Sequence, residues 1–275
     1  MNSPRFESYP DPILLSIAGL DPSAGAGIYL DLQVFQAFGF FGAAVPTALT
    51  AQNTRGVTAV RSAEAWMFTG QYDTLSTDLR LSGCKCGMFV GSALFPALKA
   101  VLEDFEHKPV VIDPVFRSGS GTVFLEDTSI TAYIRSIKGK GSLFTPNLDE
   151  VCALTGMTVS SPNDLQAAAR AVSERVEMPC LVKGGHLKGN KADIFYDGQN
   201  WSSFDHPSID KEVHGTGCFL SSALLCYLVS GETPLHACTL AIRSTQRAIH
   251  SARAVGGGRS VIVPTPSLFQ ASPAR

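Results

Sequence analysis

Short apolar runs alternate with amphipathic stretches along most of the chain, and glycine-rich turns separate them. Leu14-Leu15-Ser16-Ile17-Ala18 is almost wholly apolar, the pattern of a strand buried on both faces. A small-residue turn from Gly19 to Gly27 follows. A helical pattern then runs from Ile28 to about Phe38, with Leu32, Phe35 and Phe38 at helix-compatible spacing. Strand, glycine turn and helix open a βαβ unit. The alternation continues, with strands predicted at 43–50, 84–88, 110–115, 143–146 and 179–183. Helices are predicted at 64–79, 93–105, 130–137, 165–176, from the 214–218 loop to about Leu228, and at 235–254. Ala192 to Tyr196 and Gly198 to Phe204 read as a hairpin with Asp197-Gly198 as its turn. The fold class implied is α/β, a single doubly wound, mostly parallel sheet flanked by helices on both faces. The expected organisation is a polar N-terminal arm (1–12), one domain (13–265) and a C-terminal tail (266–275).

Composition narrows the function classes. The chain has 275 residues, 45% hydrophobic and 17% charged, with a formal net charge of −2. No basic stripe is visible, which argues against nucleic acid as a partner. The N-terminus from Met1 to Asp11 is polar, no signal peptide precedes the first apolar run, and that run is too short to cross a bilayer. The expectation is a soluble, cytoplasmic protein without a membrane partner. Seven cysteines, none in a C-x-x-C pair, fit a reducing compartment better than a disulfide framework. Cys84 and Cys86 share one strand face. A metal pair is one reading and two core thiols the favoured one, since no matching ligands stand nearby.

Candidate chemistry gathers in the turns after strands. His214-Gly215-Thr216-Gly217-Cys218 leads directly into an apolar helix. Such a loop lets an anion approach the unpaired amides of a helix start, and Cys218 would sit at the edge of that nest. An ordinary glycine loop before a core helix is the plainer reading. Neither a dinucleotide fingerprint nor a G-x-x-x-x-G-K-[ST] loop occurs. Asp31, one turn into the first helix, would hold a ligand hydroxyl or serve as a first-turn acid. Gln52 and Asn53 offer donors and acceptors to a heterocycle edge or form a polar turn. Asp113, at the end of an apolar strand, is a candidate for metal or phosphate duty or a turn aspartate. Asn147 and Glu150 have the spacing either to hold magnesium waters or to form a capping box. Lys183 leaves a buried strand, which is costly unless its charge meets an acid or a phosphate. In a parallel sheet these turns collect on one edge, where ligands bind.

These blocks, in this order, resemble the hydroxymethylpyrimidine/phosphomethylpyrimidine kinases of the ribokinase-like superfamily. The resemblance rests on Ile17 to Gly27, Thr47 to Thr54, Lys85 to Met88, Asp113 to Val115, Thr145 to Leu148, Leu181 to Leu187 and His214 to Cys218. It implies ATP-dependent phosphorylation of 4-amino-5-hydroxymethyl-2-methylpyrimidine and of its monophosphate in thiamine biosynthesis. It further implies Mg²⁺ as cofactor and a homodimer, and leaves a monovalent cation open. By motif match, Gly19, Asp31, Gln52, Met88 and Val115 would line the pyrimidine site. Asn147, Glu150 and Asp113 would organise Mg²⁺, and Asp113, Asn147, Lys183, Thr216 and Gly217 the nucleotide. Gly215, Thr216, Gly217, Cys218 and Lys183 would be catalytic, with Cys218 taking the hydroxyl proton if its pKa is lowered at the helix N-terminus. The family's usual A-K-S-G loop is replaced here by Arg117 to Gly121, with Gly119 at the lysine place and Arg117 as a substitute cation. The alternatives are a pyridoxal kinase of the same superfamily and a non-catalytic pyrimidine-binding protein.

Overall fold

The computed structural model describes residues 12–185, 191–206, 209 and 211–269. The N-terminal arm up to Asp11, His186 and Leu187 of the Leu181–Leu187 block, and residues 270–275 of the tail lie outside them. In chain order the elements are β1 (Ile13–Leu20), α1 (Gly27–Phe38), β2 (Phe41–Asn53), β3 (Gly56–Ser62), α2 (Ala65–Asp78), β4 (Leu81–Cys86) and α3 (Phe95–Glu103). They continue with β5 (Val110–Ile112), α4 (Asp127–Ile137), β6 (Leu143–Phe144), α5 (Leu148–Thr155), α6 (Pro162–Val176), β7 (Cys180–Val182), β8 (Lys191–Tyr196) and β9 (Trp201–His206). The chain then forms β10 (Val213–His214), α7 (Thr216–Val229), α8 (Pro234–Ser251), β11 (Ser260–Val261) and a 3-10 turn, Pro266–Leu268.

Nine strands form one sheet in the order β3-β2-β1-β4-β5-β6-β7-β8-β9. Neighbours from β2 to β7 run parallel, while β3, β8 and β9 pair antiparallel at the two edges. The central strands are apolar on both sides because both faces are covered. Alternate residues of β1 show this: Leu15 and Ile17 enter one core with residues of α2 to α6, and Leu14 enters the other with α1, α7 and α8. The chain leaves β1 for β2 on one side and later places β4 on the other. The strand order therefore reverses at β1, where open α/β sheets leave a ligand crevice.

Some expectations are corrected. β3 is half exposed, with exposed Thr58, Ala59 and Arg61, and carries too weak an apolar signal to stand out. β5 ends at Ile112, short of Val115, because Pro114 has no N–H to continue the ladder. The hairpin turn spans 197–200 rather than two residues: the Asp197 carboxylate accepts from the amides of Gln199 and Asn200. Within the segment expected as the C-terminal tail, Leu268 is buried and Phe269 stacks on Phe219 at 5.7 Å. Cys84 and Cys86 are buried core thiols with sulfurs 3.8 Å apart, and the described residues contain no cluster of three or more His, Cys, Asp or Glu suited to a metal. No helix among the described residues is long and apolar enough to cross a membrane.

Candidate active site

Two glycine loops meet at the crevice. Gly27 opens α1 at φ +59°, and a Cβ there would stand 2.1 Å from the Gly19 carbonyl oxygen. Gly215 opens α7 at φ +81°, and a Cβ there would stand 2.0 Å from the Gly25 oxygen. Only glycine tolerates both the conformation and the approach. His214 clamps the same loops: its Nε2 lies 2.9 Å from the Asp21 carboxylate and 2.9 Å from the Gln52 side-chain amide. Burial raises the Asp21 carboxyl, but bonds from His214 and Ser23 outweigh it and hold the group below the usual value.

α7 begins with no side-chain cap, so its first amides carry the positive end of the helix dipole without a protein acceptor from a capping side chain. Lys183 and Asp113 face this terminus. Lys183 Nζ bonds Asp113 Oδ1 at 2.8 Å, and a Cβ on Gly217 would lie 3.5 Å from Asp113 Oδ2 and 3.6 Å from Lys183 Nζ. Ser221, one turn into α7, donates to Asp113 Oδ2 at 3.4 Å. Burial alone would neutralise both members of the pair. Their mutual attraction reverses this, lowering the Asp113 carboxyl and raising the Lys183 ammonium.

Asn147 caps α5, and the N-x-x-E spacing is a complete capping box. The Asn147 side chain accepts from the Glu150 amide at 2.9 Å, and the Glu150 carboxylate accepts from the Asn147 amide at 2.7 Å. Both residues thus have a structural task before any metal is considered. Glu150 is buried, and burial pushes its carboxyl up to about 8; Lys183 pulls it down and Asp113 pushes it up. The sign for stability follows. A carboxyl raised on folding binds its proton more tightly in the native state, so its contribution falls as pH rises from the unfolded value toward 8. Glu150→Gln, which keeps an acceptor for the Asn147 amide, is expected to flatten the decline in Tm across that range. Thermal melts of both proteins from pH 5 to 9 check this. Asp113 and Glu150 are the buried carboxylates on which a hydrated Mg²⁺ could be held.

The expected pyrimidine-site residues are partly brought together. A Cβ on Gly19 would meet Met88 Cε at 2.3 Å, and Met88 shares a small apolar cluster with Ala48, Phe124 and Val115. Gln52 joins through Thr50, whose hydroxyl donates to the Leu20 carbonyl at 2.8 Å. Asp31 does not line this pocket. It is fully buried, with Lys85 Nζ at 2.9 and 3.1 Å, Ser16 Oγ at 2.6 Å and Ser222 Oγ at 2.8 Å, so protein donors already hold its oxygens.

Two further expectations change. Partial burial pushes the Cys218 thiol up to about 11, although Lys85 and the Gly27 amide favour the thiolate. Beside Gly119 the cation is Arg259 rather than Arg117: Arg259 donates to the Gly119 carbonyl at 2.9 Å and its Nη1 would lie 2.3 Å from a Cβ there. Sequence reasoning passed over Lys85, His214, Asp21 and Ser222. Lys85 was findable by the argument applied to Lys183, a lysine within a buried strand. Ser222 was findable as one of two adjacent serines, with Ser221, inside a mostly apolar helix.

The phosphomethylpyrimidine kinase family model matches residues 21–263. The hydroxymethylpyrimidine/phosphomethylpyrimidine kinase of Rhizobium meliloti is 37% identical over 91% of this chain and 96% of its own length. The bifunctional thiamine biosynthesis protein ThiED of Geobacter sulfurreducens is 33% identical, and the chain spans about half of it, 53%. The phosphomethylpyrimidine kinase of Clostridium difficile superposes with a TM-score of 0.77 at 30% identity, covering 87% of this chain and all (100%) of that one. The ADP complex of Staphylococcus aureus pyridoxal kinase superposes with a TM-score of 0.83 at 27% identity, covering 92% and 93%. With a family match over nearly the whole described body and a ribokinase-like sheet carrying its glycine loops on one edge, the chain belongs to the phosphomethylpyrimidine kinase family.

Proposed function

We propose that the protein is an ATP-dependent kinase that phosphorylates 4-amino-5-hydroxymethyl-2-methylpyrimidine and then its monophosphate in thiamine biosynthesis. One observation carries this reading: the Lys183–Asp113 pair sits against Gly217 at the uncapped start of α7. Phosphoryl transfer needs positioning and positive charge around the moving group more than it needs covalent chemistry. The α7 amides and Lys183 supply both. Gly19, Met88 and Val115 form an apolar slot for the ring, and Gln52 meets its polar edge. Asp113 and Glu150, with Asn147, would hold Mg²⁺ through its waters; when bound, the ion neutralises charge on the triphosphate. A cytoplasmic homodimer belongs to the same reading.

Cys218 faces the place where the substrate hydroxyl must reach the phosphate. A neutral thiol holds that hydroxyl but cannot accept its proton. If the ionised thiol is the base, turnover climbs with pH toward about 11. Cys218→Ala is expected to lower kcat by about 100-fold with KM nearly unchanged and to remove that climb. A flat wild-type profile would assign Cys218 to orienting the hydroxyl only.

The likeness to a solved pyridoxal kinase supports pyridoxal as the second candidate substrate. A coupled assay with the hydroxymethylpyrimidine, its monophosphate and pyridoxal decides. Transfer to both pyrimidines is the expected result. Product from pyridoxal alone moves the assignment to pyridoxal kinase, and no transfer to any of the three leaves a pyrimidine-binding protein.

A further inference from the structure

A complete ion pair lies beneath the two glycine loops, out of reach of any substrate. Lys85 and Asp31 are both fully buried (0% side-chain exposure) and are joined at 2.9 Å. The sequence places a lysine between two core cysteines in β4, and the register explains why it faces this way. Lys85 pairs laterally with Ser16 of β1 and Val111 of β5, on the sheet face covered by α1 and α7. Asp31 descends from α1 to meet it, and Ser222 of α7 and Ser16 of β1 both donate to the Asp31 carboxylate.

The spacing of the helical members matters. Asp31 lies four residues after Gly27, and Ser222 four residues after Cys218. Residues four apart stand one above the other on a helix. The Asp31–Ser222 bond of 2.8 Å therefore ties the turn below Gly27 to the turn below Cys218. At the loops themselves the Gly27 amide faces the Cys218 sulfur. The charges around Cys218 are Lys85 on β4, Asp31 on α1, Asp113 after β5 and Lys183 after β7. Lys85 is the foremost of these in opposing burial and favouring the thiolate, while Asp31 and Asp113 act against it. Burial alone would discharge the Lys85 ammonium, but Asp31, Cys218 and Asp113 raise it instead, so it stays charged.

We propose that Lys85 is a positioning residue of the phosphoryl-transfer site: its buried ammonium, locked by Asp31 and Ser222, fixes Cys218 against the Gly27 amide and supplies the positive field beneath it. The consequence for turnover rests on the kinase reading above. The consequence for the thiol does not.

The test uses Lys85→Met, which keeps the length of the side chain, and the double variant Lys85→Met/Asp31→Asn. Removing one partner of a buried pair leaves an uncompensated charge, whereas removing both is far milder, so the double variant keeps a folded protein in hand. A Cys152→Ser background leaves Cys218 as the one cysteine that is not buried. Iodoacetamide modification of Cys218 is followed against pH, and kcat and KM are measured for the alcohol substrate and for ATP. In Lys85→Met, which leaves Asp31 acting against the thiolate, alkylation at pH 9 is expected to slow about tenfold, one unit of thiol pKa, and in the double variant, which removes both opposing charges, the slowing is expected to be smaller. Turnover is expected to fall about 100-fold with both KM values nearly unchanged, the size of effect of losing one preorganised charge. Wild-type alkylation in a folded Lys85→Met variant, or wild-type kcat in the folded double variant, would overturn the proposal. So would equal losses in kcat and thermal stability with an unmoved alkylation profile, which mark a packing role alone. Should the wild type phosphorylate no tested alcohol, the kinase reading fails and the alkylation profile by itself decides the role of Lys85.

Discussion

Lys183→Met is expected to lower kcat by about 1000-fold, the upper range for removing one group that stabilises charge in a transition state. The ammonium is the cation beside Gly217, and the helix amides there are dipoles without full charge. The loss has a second part. Asp113 is 2% exposed and would be left as a buried carboxylate without its 2.8 Å partner. Breaking such a pair from one side costs about 3–5 kcal/mol of stability. The pair also fixes a pH signature. Asp113 is depressed on folding, so its contribution is present above the unfolded carboxyl value and is lost as pH falls through the folded one. Lys183→Met removes this acid-side loss. The double variant Lys183→Met/Asp113→Asn separates the effects: thermal stability is expected to return toward wild type, while turnover stays low. Recovery of kcat together with Tm would show that Lys183 is structural only.

Gly215→Ala is the second change with a large expected effect, and it acts through the backbone. Position 215 has φ +81°, and the added methyl would stand 2.0 Å from the Gly25 oxygen and 2.7 Å from Leu30 Cδ2. The first obstacle is backbone and cannot rotate away. Left-handed strain and overpacking together are expected to cost about 3 kcal/mol or more. Because the displaced atoms carry the α7 amides and Cys218, turnover is expected to fall by about 100-fold or more. Gly217→Ala provides the contrast. A methyl there meets Asp113 Oδ2 and Lys183 Nζ only at 3.5 and 3.6 Å, ordinary contact distances. This variant is expected to melt like wild type yet bind ATP less well, since the methyl takes space beside the phosphate-facing pair. Melting curves and KM for ATP, measured on both variants, check the contrast. A Gly215→Ala protein with unchanged Tm and kcat would remove the close packing of the two loops from the account.

Much of the fold was legible because its signals are local. The apolar runs of β1, β5 and β7 are nearly continuous since helices cover both faces, and continuity is visible in one dimension. Weak signals failed where tertiary context decided. β3 exists because β2 offers it an edge, and β11 because Val213 and His214 lie alongside it. Neither carries enough apolar character to declare itself.

At the site, the residues at strand ends were legible by type: Lys183 as a costly buried cation, Asp113 as an acid closing an apolar strand, Gly215 to Cys218 as an anion nest. Their partnerships were not. Asn147 and Glu150 carried two readings from sequence, and the folded chain realises the capping box while leaving the carboxylate buried. Asp31 matched a substrate-lining position by motif, yet Lys85, Ser16 and Ser222 surround it, brought from residues 54, 15 and 191 positions away in the chain.

The sequence by itself determined the succession of strands and helices, the residue types at each strand end and the family to which the chain belongs. Periodicity, turn chemistry and motif order are properties of neighbouring residues, so they survive without coordinates. Only the tertiary structure decided which charges are paired, which acid is hidden and how acidic the thiol is. Desolvation and Coulomb energy depend on distance and burial in space, and those arise only when β1, β4, α1 and α7 close on one another.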